Sequence, residues 1–349
     1  MPAIRQPWFT FLVHPRSTKD LDRVAATRFL RRYSSTQEEF LRKVRSLRPL
    51  VFGEIVFGAC NFRGELIIVL RLPAELSGSE AIRDIGEAVG LATKRGAKII
   101  GLGGLTSPAT GAGHRLLRQL PPSVTLTNGN AYTAAVTCAN VMEACGKLNH
   151  LRAPRVGIVG CTGSVGTPTT HLLSEQGLAL LLVGRSLERL EQKFAGIANV
   201  EFSTSLLDLR SADIVVLLTS DPSALLRPAH VKPGSIIIDC SQPANVVEED
   251  FAAFSSVGAS LCEGGIVRIP RYSCSADLGF SNPKDTFACL AETYLFARYG
   301  INQHSTGAPS TDLAKRLWRL AERDRIEVRP LSDCAIATIA SPKSQFEFA

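Results

Sequence analysis

The sequence predicts an α/β fold. Three observations carry that reading. Short apolar runs alternate with helical patterns along the 349 residues. Strand–helix units repeat from about 155 to 270 at the spacing of a parallel sheet. The first of those strands runs straight into a glycine-rich turn at Gly160–Gly166. Together they predict a central, doubly wound parallel sheet of Rossmann type with a second α/β domain. The boundaries read as 1–150 for an α/β domain with basic N-terminal helices and 151–281 for the parallel-sheet domain. Residues 282–349 read as a mostly helical segment that packs back on the first domain.

Element by element, Trp8–Val13 reads as a strand, followed by basic helices near 18–33 and 36–46. Pro49–Phe57 and Glu65–Leu70 read as a strand pair around a turn at Asn61–Gly64. Ser77 with Glu80 forms a capping box, and opens a helix whose Ile82, Ile85 and Val89 share a face up to Gly96. Ala97–Leu102 is a buried strand ending in Gly103-Gly104. Val124–Leu126 is a short strand, and a helix of about 15 residues follows Asn130. Arg155–Val159, Leu178–Val183, Val200–Phe202, Ile214–Leu218, Ser235–Asp239 and Ala259–Leu261 supply the parallel sheet. Thr169–Gln176 is the helix after the glycine turn, and Ile326–Arg329 is a last short strand.

Composition narrows the class. The chain is 45% apolar and 20% charged, which suits a packed core and argues against disorder. Its longest aliphatic stretch, Leu178–Val183, is far short of the roughly 20 residues that span a bilayer. An integral membrane protein is therefore not expected. The nine cysteines show neither a CxxC pair nor a metal-ligand rhythm, so no metal site is expected and a reducing cytoplasm is the predicted compartment. The first fifty residues hold 11 Lys and Arg against four acids, an excess equal to the whole chain's net charge of +7. Such a segment attracts polyanions or an acidic partner. No motif interleaves aromatics with that charge, so nucleic acid is not the expected partner.

The turn Gly160-Cys161-Thr162-Gly163-Ser164-Val165-Gly166 carries GxxGxxG between a strand and a helix. Gly160 permits the sharp turn, Gly163 lets backbone N–H groups approach a pyrophosphate, and Gly166 lets helix and strand pack closely. The helix N-terminus then favours the phosphates. Thr162, Ser164 and Val165 complete the predicted cofactor contacts. The second strand ends in Gly184-Arg185-Ser186, where an NAD site would carry an acid. Arg185 with Ser186 fits a ribose 2′-phosphate and points to NADPH. The alternative is a surface arginine beginning the next helix. Thr219 and Ser220 follow a sheet strand and would line the nicotinamide side.

A nicotinamide site implies hydride transfer, and the acceptor must be read elsewhere. Asn282 as N-cap with Pro283 at the first helical position predicts a helix start. Cys289 would lie in its second turn, where the helix favours a thiolate that accepts an acyl group. On spacing alone, Cys289 among Phe287, Ala288 and Leu290 reads sooner as a small buried apolar residue than as a nucleophile.

Several ordered segments add a resemblance. They are Phe11-Leu12-Val13-His14, Gly103-Gly104-Leu105-Thr106-Ser107 and Thr127-Asn128-Gly129-Asn130-Ala131-Tyr132-Thr133-Ala134. The glycine turn, Glu263-Gly264-Gly265-Ile266-Val267 and Phe287-Ala288-Cys289-Leu290-Ala291-Glu292 complete the series. Over nearly its full length the chain resembles the long-chain acyl-(acyl-carrier-protein) reductases of cyanobacteria. The resemblance implies an N-terminal substrate domain and a central Rossmann domain. It also implies NADPH-dependent reduction of an acyl thioester to the aldehyde, through an acyl-enzyme on Cys289 in the FAC-x-AE motif. Acyl carrier protein or coenzyme A would carry the acyl group to the basic segment, and an aldehyde-consuming enzyme would be a possible partner. Two departures stand out. The family's Asn-x-His-Thr is Asn130-Ala131-Tyr132-Thr133, and a later glycine-rich turn reads Asp239-Cys240-Ser241-Gln242-Pro243. Tyr132 and His14, within the resembling segments, are candidates for the general acid. The rival reading is an NADP-dependent alcohol or amino-acid dehydrogenase with a shikimate-dehydrogenase-like layout and no covalent step.

Overall fold

The structure is a computed structural model that describes residues 8–58, 62–148, 153–221 and 225–333. Cys60 and Cys334 lie outside those residues. The described residues divide into two compact units, Met1–Gly129 with Ile269–Gly307 and Asn130–Arg268 with Ala308–Ala349.

Unit 1 is built on a mixed sheet of six strands. Strands β1 (Phe9–Val13), β2 (Leu50–Phe57), β3 (Phe62–Ile68), β4 (Ile99–Leu102) and β5 (Thr125–Thr127) are joined at one edge by Tyr272–Cys274. From that edge the order is Tyr272–Cys274, β2, β3, β1, β4, β5. β1 lies parallel to β3 and β4, whereas β2 is antiparallel to both β3 and the edge strand. β2 and β3 stay paired from Phe57 with Phe62, so the turn precedes Phe62 and the expected turn residues Phe62–Gly64 are in the sheet. Asn61, the first of them, lies outside the described residues.

The helix after β3 spans Ser79–Lys94 and buries Ile85 and Val89 against Leu12, Ile67, Ile100 and Leu102. Its expected capping box is not formed. Gly78 holds the cap position, and Glu80 pairs with Arg71 at 3.2 Å. The two basic helices are Ala25–Arg32 and Gln37–Arg45, preceded by a short turn of helix at Asp20–Arg23.

Unit 2 holds the parallel sheet. Strands β6 (Arg155–Val159), β7 (Ala179–Val183), β8 (Val200–Ser203), β9 (Ile214–Leu217), β10 (Ile236–Asp239) and β11 (Ser260–Glu263) run in the order β11, β10, β9, β6, β7, β8. Every neighbouring pair is parallel. The middle strands β9 and β10 are buried at every position, as befits strands covered on both faces. This order reverses between β6 and β9, the arrangement of the dinucleotide-binding α/β sheets. The α/β, Rossmann-type expectation holds for this unit, and unit 1 is the second α/β part.

The units divide differently from the sequence boundaries. The helix Asn130–Lys147, expected in the first domain, packs with Gly166–Glu175 and Thr311–Arg323 in unit 2. Its Ala-rich faces are buried along most of its length, and Glu143 accepts the Leu331 N–H at 3.0 Å. The final strand Glu327–Val328 pairs antiparallel with Ile266–Arg268. Residues 308–333 therefore belong with the parallel sheet, and Ile269–Gly307 belongs with unit 1. Among the described residues no helix is long and apolar enough to cross a membrane. Among the described residues seven cysteines, Cys161 and Cys289 among them, form no disulfide.

Candidate active site

In unit 2 the chain leaves β6 and turns at once. Gly160 has φ +83°, and a Cβ there would fall 2.7 Å from the Leu218 carbonyl carbon. Only glycine accepts both the left-handed backbone and that close approach. The turn therefore sits tight against the end of β9, where Thr219 and Ser220 follow. Thr162 and Gly163 are exposed, Ser164 and Val165 half-buried. The helix begins at Gly166, three residues earlier than the sequence suggested, and runs to Glu175. Its first N–H groups thus follow directly on the turn. Cys161 is buried beneath, as a space-filling residue would be.

At the end of β7, Arg185 reaches into solvent. Its side chain is 91% exposed and lies 3.9 Å from the Asp221 carboxylate. Ser186 caps the helix Leu187–Phe194, its hydroxyl accepting the Arg189 N–H at 3.3 Å. Thr219 Oγ1 accepts the Asp221 N–H at 3.0 Å, which ties the loop after β9 to the acid beside Arg185. The exposed turn and the helix start fit the pyrophosphate of a dinucleotide.

In unit 1 the candidate nucleophile is placed differently from the sequence reading. Asn282 does not open a helix. Its side chain accepts the Lys284 N–H at 2.9 Å, and Asp285–Phe287 is a short strand. The helix begins at Ala288, so Cys289 lies in the first turn. Burial pushes its thiol up to about 12 and the Glu292 charge adds to that, while the nearby backbone N–H groups of Gly104 and Leu290 act the other way. The expected helix-stabilised thiolate is thus not the resting form. Desolvation of a half-buried sulfur outweighs the backbone donors.

The surrounding backbone is shaped to the sulfur. Gly129 has φ +75°, and a Cβ there would fall 2.2 Å from the Cys289 Cβ. His14 sits behind Gly103–Leu105. Its Nε2 accepts the Leu105 N–H at 3.0 Å and its Nδ1 faces the Pro15 carbonyl at 3.0 Å. That pairing requires the neutral ring with the proton on Nδ1. Burial holds His14 down at about 4. Its contribution is to fix the Gly103–Leu105 loop, rather than to supply a proton.

Tyr132 is 1% exposed in unit 2, and burial with the charge of Glu322 raises its hydroxyl well above the usual range. That environment suits packing and disfavours proton donation. His304 accepts the Leu126 N–H at 3.0 Å and so anchors β5.

Two residues carry more than the sequence suggested. Glu292, 0% exposed, accepts a hydrogen bond from the Thr127 hydroxyl. The Cys-x-x-Glu spacing on one helix was the available signal. Asp239, at the end of β10, accepts the N–H groups of Ser241, Asn245 and Val246 and so folds the stretch that departs from the resembling family. Burial raises it to about 6 in spite of those donors. Among the described residues, no group of three or more His, Cys, Asp or Glu is arranged to hold a metal ion.

No protein-family model matches the chain. It is similar to the aminotransferase PigE of Serratia sp. (strain ATCC 39006), at 26% identity over 160 residues. That match covers 43% of the chain and 18% of the relative, so the chain spans less than a fifth of the curated relative's length. Among solved structures it is similar to the L-tryptophan dehydrogenase of Nostoc punctiforme, with a TM-score of 0.38 and 15% identity over 91% of this chain and 89% of that one. It is also similar to the iminosuccinate reductase of Paracoccus denitrificans in complex with NAD+, with a TM-score of 0.26 and 24% identity over 33% and 37%.

Proposed function

We propose that the chain is an oxidoreductase that uses NADPH to reduce an acyl thioester to the aldehyde through an acyl-enzyme on Cys289. The observation that carries the reading is the setting of that sulfur. It stands in the first turn of the helix Ala288–Arg298, near the backbone N–H of Gly104, and has the bare backbone of Gly129 against it. Backbone donors at a nucleophile are also what an acyl transfer needs for its oxyanion, and one such donor is typically worth roughly 3 kcal/mol.

Unit 2 supplies the dinucleotide side of the reading. The Gly160–Gly166 turn and the helix it opens would hold the pyrophosphate, and Arg185 the 2′-phosphate. Thr219 and Ser220 line the end of β9, and Ser186 serves its helix. When bound, reduced nicotinamide supplies a hydride. The acyl carrier would be acyl carrier protein or coenzyme A, both anionic, steered by the basic N-terminal helices. An enzyme that consumes the aldehyde is a further partner on this reading.

A dehydrogenase without a covalent step is the second reading, and the protonated resting state of Cys289 favours it. Intact-protein mass spectrometry after incubation with an acyl-coenzyme A separates the two. The first reading expects a gain of one acyl group that Cys289→Ala abolishes, together with aldehyde formation. A wild-type chain that gains no mass yet oxidises an alcohol or amino acid with NADP+ belongs to the second.

A further inference from the structure

One carboxylate shares the Cys289 helix and lies out of water. Glu292 follows Cys289 by three residues on the helix Ala288–Arg298, so both side chains project on one face. Burying a carboxylate is costly unless polar groups meet it. Here the Thr127 hydroxyl donates to Glu292 Oε1, and the same Thr127 oxygen accepts the Gly129 N–H at 3.2 Å. A hydroxyl has one proton to give, and Thr127 gives it to the carboxylate. The Gly129 turn that Thr127 holds is the one packed on the Cys289 Cβ. Glu292, Thr127, Gly129 and Cys289 are thus one connected set within unit 1.

We propose that Glu292 is the base that takes the Cys289 proton during acyl transfer, with Thr127 as its positioning residue. The proposal rests on the acyl-enzyme reading above. The Sγ–H bond breaks as an Sγ–C bond forms at the thioester carbonyl, and the proton passes to Glu292 directly or through one water. The carbonyl π pair moves onto oxygen. When it returns, the bond to the carrier sulfur breaks and Glu292 hands its proton to that sulfur. The products are acyl-Cys289, free carrier thiol and the carboxylate, with no oxidant or reductant consumed.

The need for a base follows from the sulfur's surroundings. A thiol pushed up to about 12 is roughly one part in a hundred thousand thiolate at pH 7, too little for attack without help. The charges around it leave Glu292 as the candidate. His14 is neutral and spends both ring nitrogens on backbone groups. Asp285 is buried on the preceding strand, and Arg16 stands 6.0 Å over the Phe287 ring. Arg298 is at the far end of the helix.

Alkylation of the full chain by iodoacetamide tests this. The Cys289 peptide is followed by mass from pH 5 to 9 in wild type, Glu292→Gln, Glu292→Asp, Thr127→Val and Thr127→Ser. A base is typically worth about 100-fold or more. Glu292→Gln should slow Cys289 alkylation at pH 7 by at least tenfold and steepen its pH profile towards that of a free thiol. Glu292→Asp and Thr127→Ser should recover most of the rate, and Thr127→Val should not. Should Glu292→Gln fail to fold, the two Thr127 variants decide. An unchanged or faster rate in Glu292→Gln overturns the proposal, because a mere bystander charge only raises the thiol and its removal speeds alkylation. Equal rates in Thr127→Val and Thr127→Ser overturn the positioning role. Alkylation needs neither thioester nor nicotinamide. Loss of the acyl adduct with Glu292-dependent alkylation intact would sink the acyl-enzyme reading, and the reverse pattern would sink the base alone.

Discussion

His14 shows how one side chain serves the site without touching the reaction. It stays neutral because charging it would break the Leu105 hydrogen bond in a buried place. Its folded value, about 4, lies below the ordinary 6.5. Between those pH values the unfolded chain binds a proton that the folded chain refuses. Stability from this group is therefore complete above pH 6.5 and is lost as pH falls towards 4, by roughly 3 kcal/mol. His14→Ala removes that dependence. Its melting temperature should trail wild type clearly at pH 7, and the gap should narrow as pH drops to 4. A gap that is constant with pH would mean that His14 binds its proton equally in the folded and the unfolded chain.

At the scale of elements, two turns that follow sheet strands do different work, the Gly160–Gly166 turn with three glycines and the 239–246 stretch with none. The Gly160–Gly166 turn joins β6 to a helix and leaves Thr162 and Gly163 in solvent, so its backbone is available to a ligand. The 239–246 stretch after β10 is closed on itself by the Asp239 carboxylate. Arg185, beyond β7, stands free except for Asp221 at 3.9 Å. Arg185→Ala should weaken NADPH binding by tenfold or more and leave NADH binding nearly unchanged, because it removes a charge-assisted contact to the 2′-phosphate alone. Fluorescence titration with both dinucleotides measures it. An equal loss for both would assign Arg185 to the fold of the turn. The turn itself was legible in the sequence, since glycines between a strand and a helix leave few alternatives. The start of the Cys289 helix was not. Asn-Pro is a good opening signal, but Asp285–Phe287 is drawn into an extended path and delays the helix to Ala288.

Over the whole molecule, the basic N-terminal segment is less basic than its composition. Arg16, Arg23, Arg31, Lys43 and Arg45 are spent on ion pairs with Asp20, Asp22, Glu39 and Glu75. Lys19, Arg28, Arg32, Arg42 and Arg48 are exposed with no ion-pair partner among the described residues. These are the charges left to steer an anionic carrier. The KM for an acyl-coenzyme A should rise with salt between about 50 and 300 mM, as screening shortens the reach of surface charge. The double change Arg28→Glu with Arg32→Glu should flatten that rise. A KM independent of salt in the wild type would remove the steering role.

The order of elements, the α/β class, the parallel sheet and the glycine turn follow from the chain alone, because hydrophobic period and turn chemistry are local properties. The identity of the sulfur as a candidate was also there to read. Tertiary structure decided the rest. It drew Asn130–Lys147 into the parallel-sheet unit, since a helix of small buried residues goes where it can be covered. It silenced His14 and Tyr132 by burial. It also brought Thr127 to Glu292, 165 residues further along the chain, and Gly129 to Cys289. Such pairings depend on which strands lie against which helix, and no local pattern encodes that.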